Sequence, residues 1–472
     1  MKTGYKIYKM IVIISTIITV FVSILVDKGY GYEYIFLIPI VYLILFTICK
    51  KIHFYSNHFN GILLLNGLMF LKYIIAILAT CITKSFSLAN YYAVDISISS
   101  YHLATIILVL EEIVIFLTIE LFSASIYSNK IGVRDLEKKY ERVKTGPVLI
   151  LFLIVSFGLA FFYPKNLFGS ISILVTSENQ MTQILERSHV LDTIFGAFKI
   201  IFFGLLINKC IVMYENTKKK RYIVFSYILI SLHCLMNVST SRMNIIIPFL
   251  LFMLVTSIFF KRTGFYLNLI IAFALVIIIG IVSVYKMTWI STGGSPVLAF
   301  FSDFTKRLQE YTSNIMPTAM GLQAIEAYKS SINFTTFFKD IFGVMPIVSH
   351  AFDENEMIYT IYNMYALGGT NNTQLIPLTV SSIAYFTPVF AYLLVIGCTI
   401  VVMAAEKKKA SLTHNYINDY LKLYFLFVFA SCTFSNVQMI AGRLFTNYFP
   451  AIIILFLNNM IGKDIRICIG GK

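Results

Sequence analysis

The groups able to do chemistry concentrate in one stretch, from Lys286 to Asn372. It holds Lys286, Asp303, Lys306, Arg307, Glu310, His350, Asp353, Glu354 and Glu356, and ends in Gly368-Gly369-Thr370-Asn371-Asn372. Apolar residues recur at Phe301, Phe304, Leu308, Tyr311 and Ile315, a spacing that predicts a helix. On that helix Arg307 lies within reach of Asp303 and Glu310, so Lys306 and Arg307 are either anion ligands or members of a solvated ion-paired face. His350 and the carboxylates after it suit a general base for a hydroxyl, or simply a solvated acidic turn. Asn371 and Asn372 offer neutral hydrogen-bonding groups of the kind that meet carbohydrate hydroxyls. Two arginines stand outside this stretch. Arg242 closes the short turn Ser239-Thr240-Ser241-Arg242, and Arg443 sits in a second turn. A guanidinium in such a turn is an interfacial anchor or a fork for phosphate or carboxylate. No histidine, cysteine and carboxylate spacing points to a metal, and no Asp-x-Asp pair points to a metal-held sugar nucleotide.

The elements that must position these groups are apolar. Of 472 residues, 58% are hydrophobic and 13% charged, more apolar surface than a water-soluble core can hide. Backbone groups in lipid must bond internally, and the runs are long and unbroken rather than alternating, so the spans are helices rather than barrel strands. We expect an all-α polytopic integral membrane protein of about twelve transmembrane helices, a single membrane domain over 1–472. One large extracytoplasmic loop, 286–382, carries short helices of its own between spans nine and ten. The run Phe334–Val348, rich in aromatics, suits a helix in the interface plane. The net charge of +15 lies mostly in short clusters between spans, such as Lys218-Lys219-Lys220-Arg221 and Lys407-Lys408-Lys409. The positive-inside rule accounts for that excess, so nucleic acid is not an expected partner. The seven cysteines show no CxxC spacing and imply neither a disulfide framework nor a metal site.

Charges also fall inside apolar runs. Lys72 lies about halfway along the third, and Glu111 and Glu112 about halfway along the fourth. Adjacent antiparallel spans would bring them to one depth, where a lone charge is costly, so Lys72 should pair with Glu111 or Glu112.

About a dozen spans, a small-residue turn ending in Arg242, a large outer loop and the Gly368-Gly369-Thr370-Asn371-Asn372 stretch resemble the bacterial O-antigen and capsular polysaccharide repeat-unit polymerases of the Wzy type. The resemblance implies metal-independent glycosyl transfer without a cofactor on the outer face of the plasma membrane. The substrate it implies is an undecaprenyl-diphosphate-linked oligosaccharide in the membrane lipid, with a chain-length regulator as possible protein partner. It implies catalytic roles for Arg242 and Arg307, which would meet the charge on a departing lipid diphosphate, and for His350 as proton acceptor. Arg443, Lys306, Lys286, Asn371 and Asn372 would bind substrate. Competing readings are a lipid-linked oligosaccharide flippase, another undecaprenyl-diphosphate-using enzyme such as an O-antigen ligase, and a non-catalytic scaffold. A flippase of that kind usually shows two similar halves, and no clear internal repeat stands out here.

The charge pattern predicts both termini in the cytoplasm. Reporter fusions after Arg221 and Lys409 should read as cytoplasmic, and a fusion within 286–382 as extracytoplasmic. The opposite pattern would invert the orientation.

Overall fold

The computed structural model describes residues 2–86, 94–127, 142–164, 189–236, 247–256, 259–260, 267–268, 270, 296–368, 375–407 and 415–461. Among the described residues the regular elements are helical. Five helices are long and apolar enough to cross a membrane: Gly4–Leu25, Asn60–Thr83, Val190–Thr217, Pro388–Glu406 and Val437–Ile461. A sixth arises if Leu37–Ile48 and Lys50–His58, bent by 75° at their junction, count together. The sequence suggested twelve. Several of its apolar runs form shorter helices, such as Pro147–Phe162 and Arg221–Cys234. The run after residue 420 ends in the 3₁₀ turn Ser431–Phe434. The ninth run, Phe265–Tyr285, lies almost wholly outside the described residues.

The chain divides into two units. The first comprises Met1–Gly132, Trp289–Lys409 and Leu426–Ala441. Its centre is the 30-residue helix Ile98–Tyr127. Tyr42 and Phe46 stack at 5.7 Å between ring centres, and Phe116 meets Tyr42 edge-on at 5.7 Å. The Tyr42 hydroxyl is satisfied by Asn66 Oδ1 at 3.4 Å, and Asn66 Nδ2 donates to Ser56. Gly61 has no side chain because there is no room for one: a Cβ there would lie 2.9 Å from Val402 Cγ1. Its N–H donates to Glu406 Oε1 at 2.7 Å. Between Asn60 and Thr83 the helix widens into a π-turn at Leu71–Ile75, with Lys72 inside it. Such one-turn irregularities recur at functional sites.

The long polar stretch is built differently from a free loop. It forms helices Pro296–Tyr311, Ile315–Ala327, Phe334–Phe342 and Ile358–Leu367. The expected helix from Phe301 starts earlier and stops at Tyr311, because Asn314 caps a new helix by accepting from Ile315 N–H at 2.8 Å. That new helix is buried from Ile315 through Gly321 and packs against Ile98–Tyr127. This part of the stretch belongs to the core rather than to a roof over it. Gln309 fastens the preceding helix, accepting from the Tyr32 hydroxyl at 3.0 Å and donating to Ser85 C=O at 2.9 Å. The aromatic helix ends at Phe342, short of the expected Val348. It carries an exposed stripe of Phe334, Phe338 and Phe342 four residues apart, with Thr336 and Asp340 on its buried side. An interface-plane helix has that division of faces.

The second unit comprises Val133–Thr288, Ala410–Phe425 and Gly442–Lys472. The helix His189–Thr217 turns back at Lys218 (φ 55°) into Arg221–Leu235. Phe198 stacks on Phe202 at 5.4 Å and meets Phe157 edge-on at 4.9 Å. Asn458 secures the start of Pro147–Phe162: its Oδ1 accepts from Gly146 and Leu149 N–H, and its Nδ2 donates to Lys144 C=O.

Candidate functional site

The most highly organised polar group of the first unit surrounds Lys72. The ammonium is fully buried and donates to Glu111 Oε1 at 2.7 Å and to Thr433 C=O at 2.8 Å. The expected pairing of Lys72 with a carboxylate of the following long helix is therefore present. Glu111 Oε1 also accepts from the Tyr73 hydroxyl at 2.6 Å, and its Oε2 accepts from Thr379. Asn314 Nδ2 donates to Lys72 C=O at 2.8 Å, a carbonyl inside the π-turn. Five separate segments thus meet at one ion pair. Glu112 is also fully buried, and neither of its carboxyl oxygens has a hydrogen-bond partner among the described residues. In a low-dielectric interior the attraction of such a pair offsets desolvation only when the remaining donors and acceptors are satisfied. At Glu111 both oxygens are.

A second buried carboxylate, Asp340, lies in the polar stretch. Its Oδ1 accepts from Ile358 N–H at 3.2 Å and its Oδ2 from the Tyr385 hydroxyl. Burial pushes its carboxyl up to about 7, and the Tyr385 hydrogen bond opposes that rise. The adjoining Lys339 faces outward and pairs with Glu356. Asp340 thereby ties together the helices Phe334–Phe342, Ile358–Leu367 and Leu378–Tyr385.

The residues nominated from sequence fall in different places. Lys306 and Arg307 lie half-buried on Pro296–Tyr311, with Glu310 buried on the same helix. His350 is exposed in the 3₁₀ turn Ser349–Ala351. Asp353 Oδ1 accepts from Asn355 N–H at 2.9 Å, closing a local turn. Glu356 is held by Lys339 rather than grouped with His350. Arg443 belongs to the second unit. It does not sit in a turn, as expected, but ends the helix Val437–Arg443, which continues through the π-turn Leu444–Tyr448. The chain stays helical there because Asn436 caps it, Oδ1 accepting from Met439 N–H at 2.7 Å. Arg242, Lys286, Asn371 and Asn372, and the side chains of Asp303 and Glu354, lie outside the described residues.

Sequence reasoning missed Asn314, Thr379 and Asp340. The signal for Asp340 was present: Thr336 and Asp340 are four apart, a polar line opposite the phenylalanine stripe. Asn314 and Thr379 carried none, since their partners lie 242 and 268 residues away in the chain. No family model matches the sequence, and no curated protein or solved structure is detectably similar to it. The fold itself defines an all-helical protein with several helices suited to a membrane.

Replacing Lys72 alone by Met should destabilise the first unit by about 3–5 kcal/mol, because it strands Glu111 in the interior. Lys72→Met combined with Glu111→Gln should recover most of that loss, as read by thermal melting in detergent. Equal effects of the single and double variants would show that the pair is not coupled. For Asp340 the folded value is raised above the usual 3.8. Its stabilising contribution is therefore complete below the unfolded value and lost as pH rises through about 7. The wild type should melt lower at about pH 8 than at about pH 5, and Asp340→Asn should flatten that slope.

Proposed function

We propose that this chain is a membrane glycosyltransferase that polymerises undecaprenyl-diphosphate-linked oligosaccharide repeat units into O-antigen or capsular polysaccharide on the outer face of the plasma membrane. The observation that carries this reading is the anchoring of the long polar stretch. Asn314, within it, and Thr379, near its end, reach the buried pair of Lys72 and Glu111. The stretch bears Lys306 and Arg307 half-buried on one helix and an exposed phenylalanine stripe on another. A site on rigid elements can hold cations where charge develops, which a wandering loop cannot.

The reaction joins an acceptor sugar hydroxyl to the anomeric carbon of the donor glycan. The bond from that carbon to the diphosphate oxygen breaks, and the lipid diphosphate leaves with the electron pair. Arg307, with Lys306 next to it, would stabilise the negative charge gathering on the leaving group, the role that the resemblance gives Arg242 as well. His350, exposed and thus open to substrate, would take the hydroxyl proton. Lys286, Asn371 and Asn372 complete the groups assigned to substrate.

One observation favours a transporter instead. An ionisable group at mid-span, such as Lys72 with Glu111 and Glu112, is the usual mark of a pathway. Loss of a flippase stops export, whereas loss of a polymerase leaves single repeat units attached to their acceptor. The proposal predicts that Arg307→Ala, at normal protein level, reduces polymer to single or few repeat units on a glycan gel. Arg242→Ala should do the same, and unchanged polymer in both variants would remove these residues from the mechanism.

A further inference from the structure

The turn between the first two apolar helices, Lys2–Leu25 and Leu37–Ile48, carries an ion pair outside the site described above. Successive residues of this turn meet the start of the helix Ile98–Tyr127. Gly31 has a φ of 82°, and a Cβ there would lie 2.4 Å from Tyr101 Cδ2, so only glycine fits. The Tyr32 ring packs 5.1 Å from that of Tyr101. Glu33 Oε2 lies 2.9 Å from His102 Nε2. Tyr34 meets the His102 ring edge-on at 4.8 Å. Glu33 Oε1 accepts from Gly31 N–H at 3.2 Å, so each carboxylate oxygen has its own partner.

This is the geometry of a base held by an orienting carboxylate. The hydrogen bond from His102 holds the Glu33 carboxyl below its usual value, with burial opposing it. An ionised carboxylate only accepts, so His102 Nε2 is the donor. The lone pair of the neutral ring then sits on Nδ1. Both side chains are open to solvent, His102 33% and Glu33 49% exposed, and Tyr34 beside them is exposed as well. The same turn is fastened to the helix that bears the cations of the polar stretch. The Tyr32 hydroxyl donates to Gln309 Oε1 at 3.0 Å. Lys306 lies three residues before Gln309, on the same side of the helix Pro296–Tyr311.

We propose that His102, oriented by Glu33, takes the proton of the acceptor sugar hydroxyl. The inference rests on the polymerisation reading and gives a held imidazole the part assigned there to His350, whose acidic neighbour Glu356 is drawn to Lys339 instead. The acceptor oxygen forms its bond to the anomeric carbon, and the bond from that carbon to the diphosphate oxygen breaks. The lipid diphosphate leaves with the electron pair, and the hydroxyl proton moves to His102 Nδ1. The imidazolium so formed is stabilised by the Glu33 carboxylate and passes its proton to water at the exposed edge of the ring. Glu33 takes no proton itself and is a positioning residue.

The test is the polymer made by cells carrying each variant at normal protein level, read on glycan gels, with deletion of the chain as reference. Exposed ion pairs add little to stability, so the variants should melt in detergent as wild type does. A general base contributes about 10²–10⁴-fold, so His102→Ala should cut polymer by about 100-fold or more. His102→Gln still donates to Glu33 but has no basic nitrogen, and it should lose as much. It also serves as the second reading should His102→Ala fail to fold. Glu33→Gln should lower polymer, and Glu33→Asp, which keeps the charge, should restore part of it. His350→Ala should leave more polymer than His102→Ala. Wild-type polymer in His102→Ala, or polymer restored by His102→Gln, overturns the proposal, the latter by showing a structural hydrogen bond only. Should deletion and Arg307→Ala both abolish polymer while His102→Ala does not, the role of His102 falls and the polymerisation reading stands. Should deletion leave polymer unchanged, both fall.

Discussion

An ammonium in the middle of an apolar helix is the constraint on which the first unit turns. Lys72 cannot leave that depth, and insertion scales put the cost of an isolated charge there at about 2.5–3.5 kcal/mol. The structure meets this cost with a carboxylate, Glu111, and a backbone carbonyl, Thr433. Glu111 in turn draws in Tyr73 and Thr379, and the Lys72 carbonyl draws in Asn314. Each added bond brings another segment of chain to a fixed place. The ion pair is thus more than a neutralised charge: it fixes register among helices that apolar packing alone would let slide. Polar groups within cores are retained for such specificity in some proteins, and the number of segments meeting here makes this a case of that kind.

How much of this was legible in the sequence depends on the range over which each signal acts. The meeting of Lys72 with a carboxylate was readable because two facts sufficed, the depth of each charge in its run and the antiparallel order of neighbouring helices. The helical character of 301–311 and of the aromatic run from Phe334 was readable from local spacing. What was not readable came from long-range partnership. The helix Ile315–Ala327 belongs to the core, yet its sequence sits inside a stretch whose average polarity suggests solvent. Asn314 stands at that boundary, capping its own helix and reaching a carbonyl far away in the chain. Arg443 was placed in a turn because the apolar run resumes only at about Phe449, but Asn436 caps a helix that begins at Val437. Length was misjudged for a related reason, since an apolar run states what a segment avoids and not where its helix begins or stops.

The two units solve the same physical problem with different degrees of completeness. Around Lys72 the donors and acceptors close on one another within the protein. Around Lys199 they do not: among the described residues no carboxylate pairs with the buried ammonium. The first arrangement is what a scaffold requires.

The π-turn at Leu71–Ile75 carries one residue more than a regular helical turn would need. Trimming that surplus would rotate everything beyond it by about 100° relative to the segment before. Ile77, Thr80 and Cys81, all buried, would swing away from the faces they fill. The chain is therefore locked to this count of residues. A deletion here is a change of phase for the whole downstream helix, and mutational drift in length is barred at the point where the charge is stored.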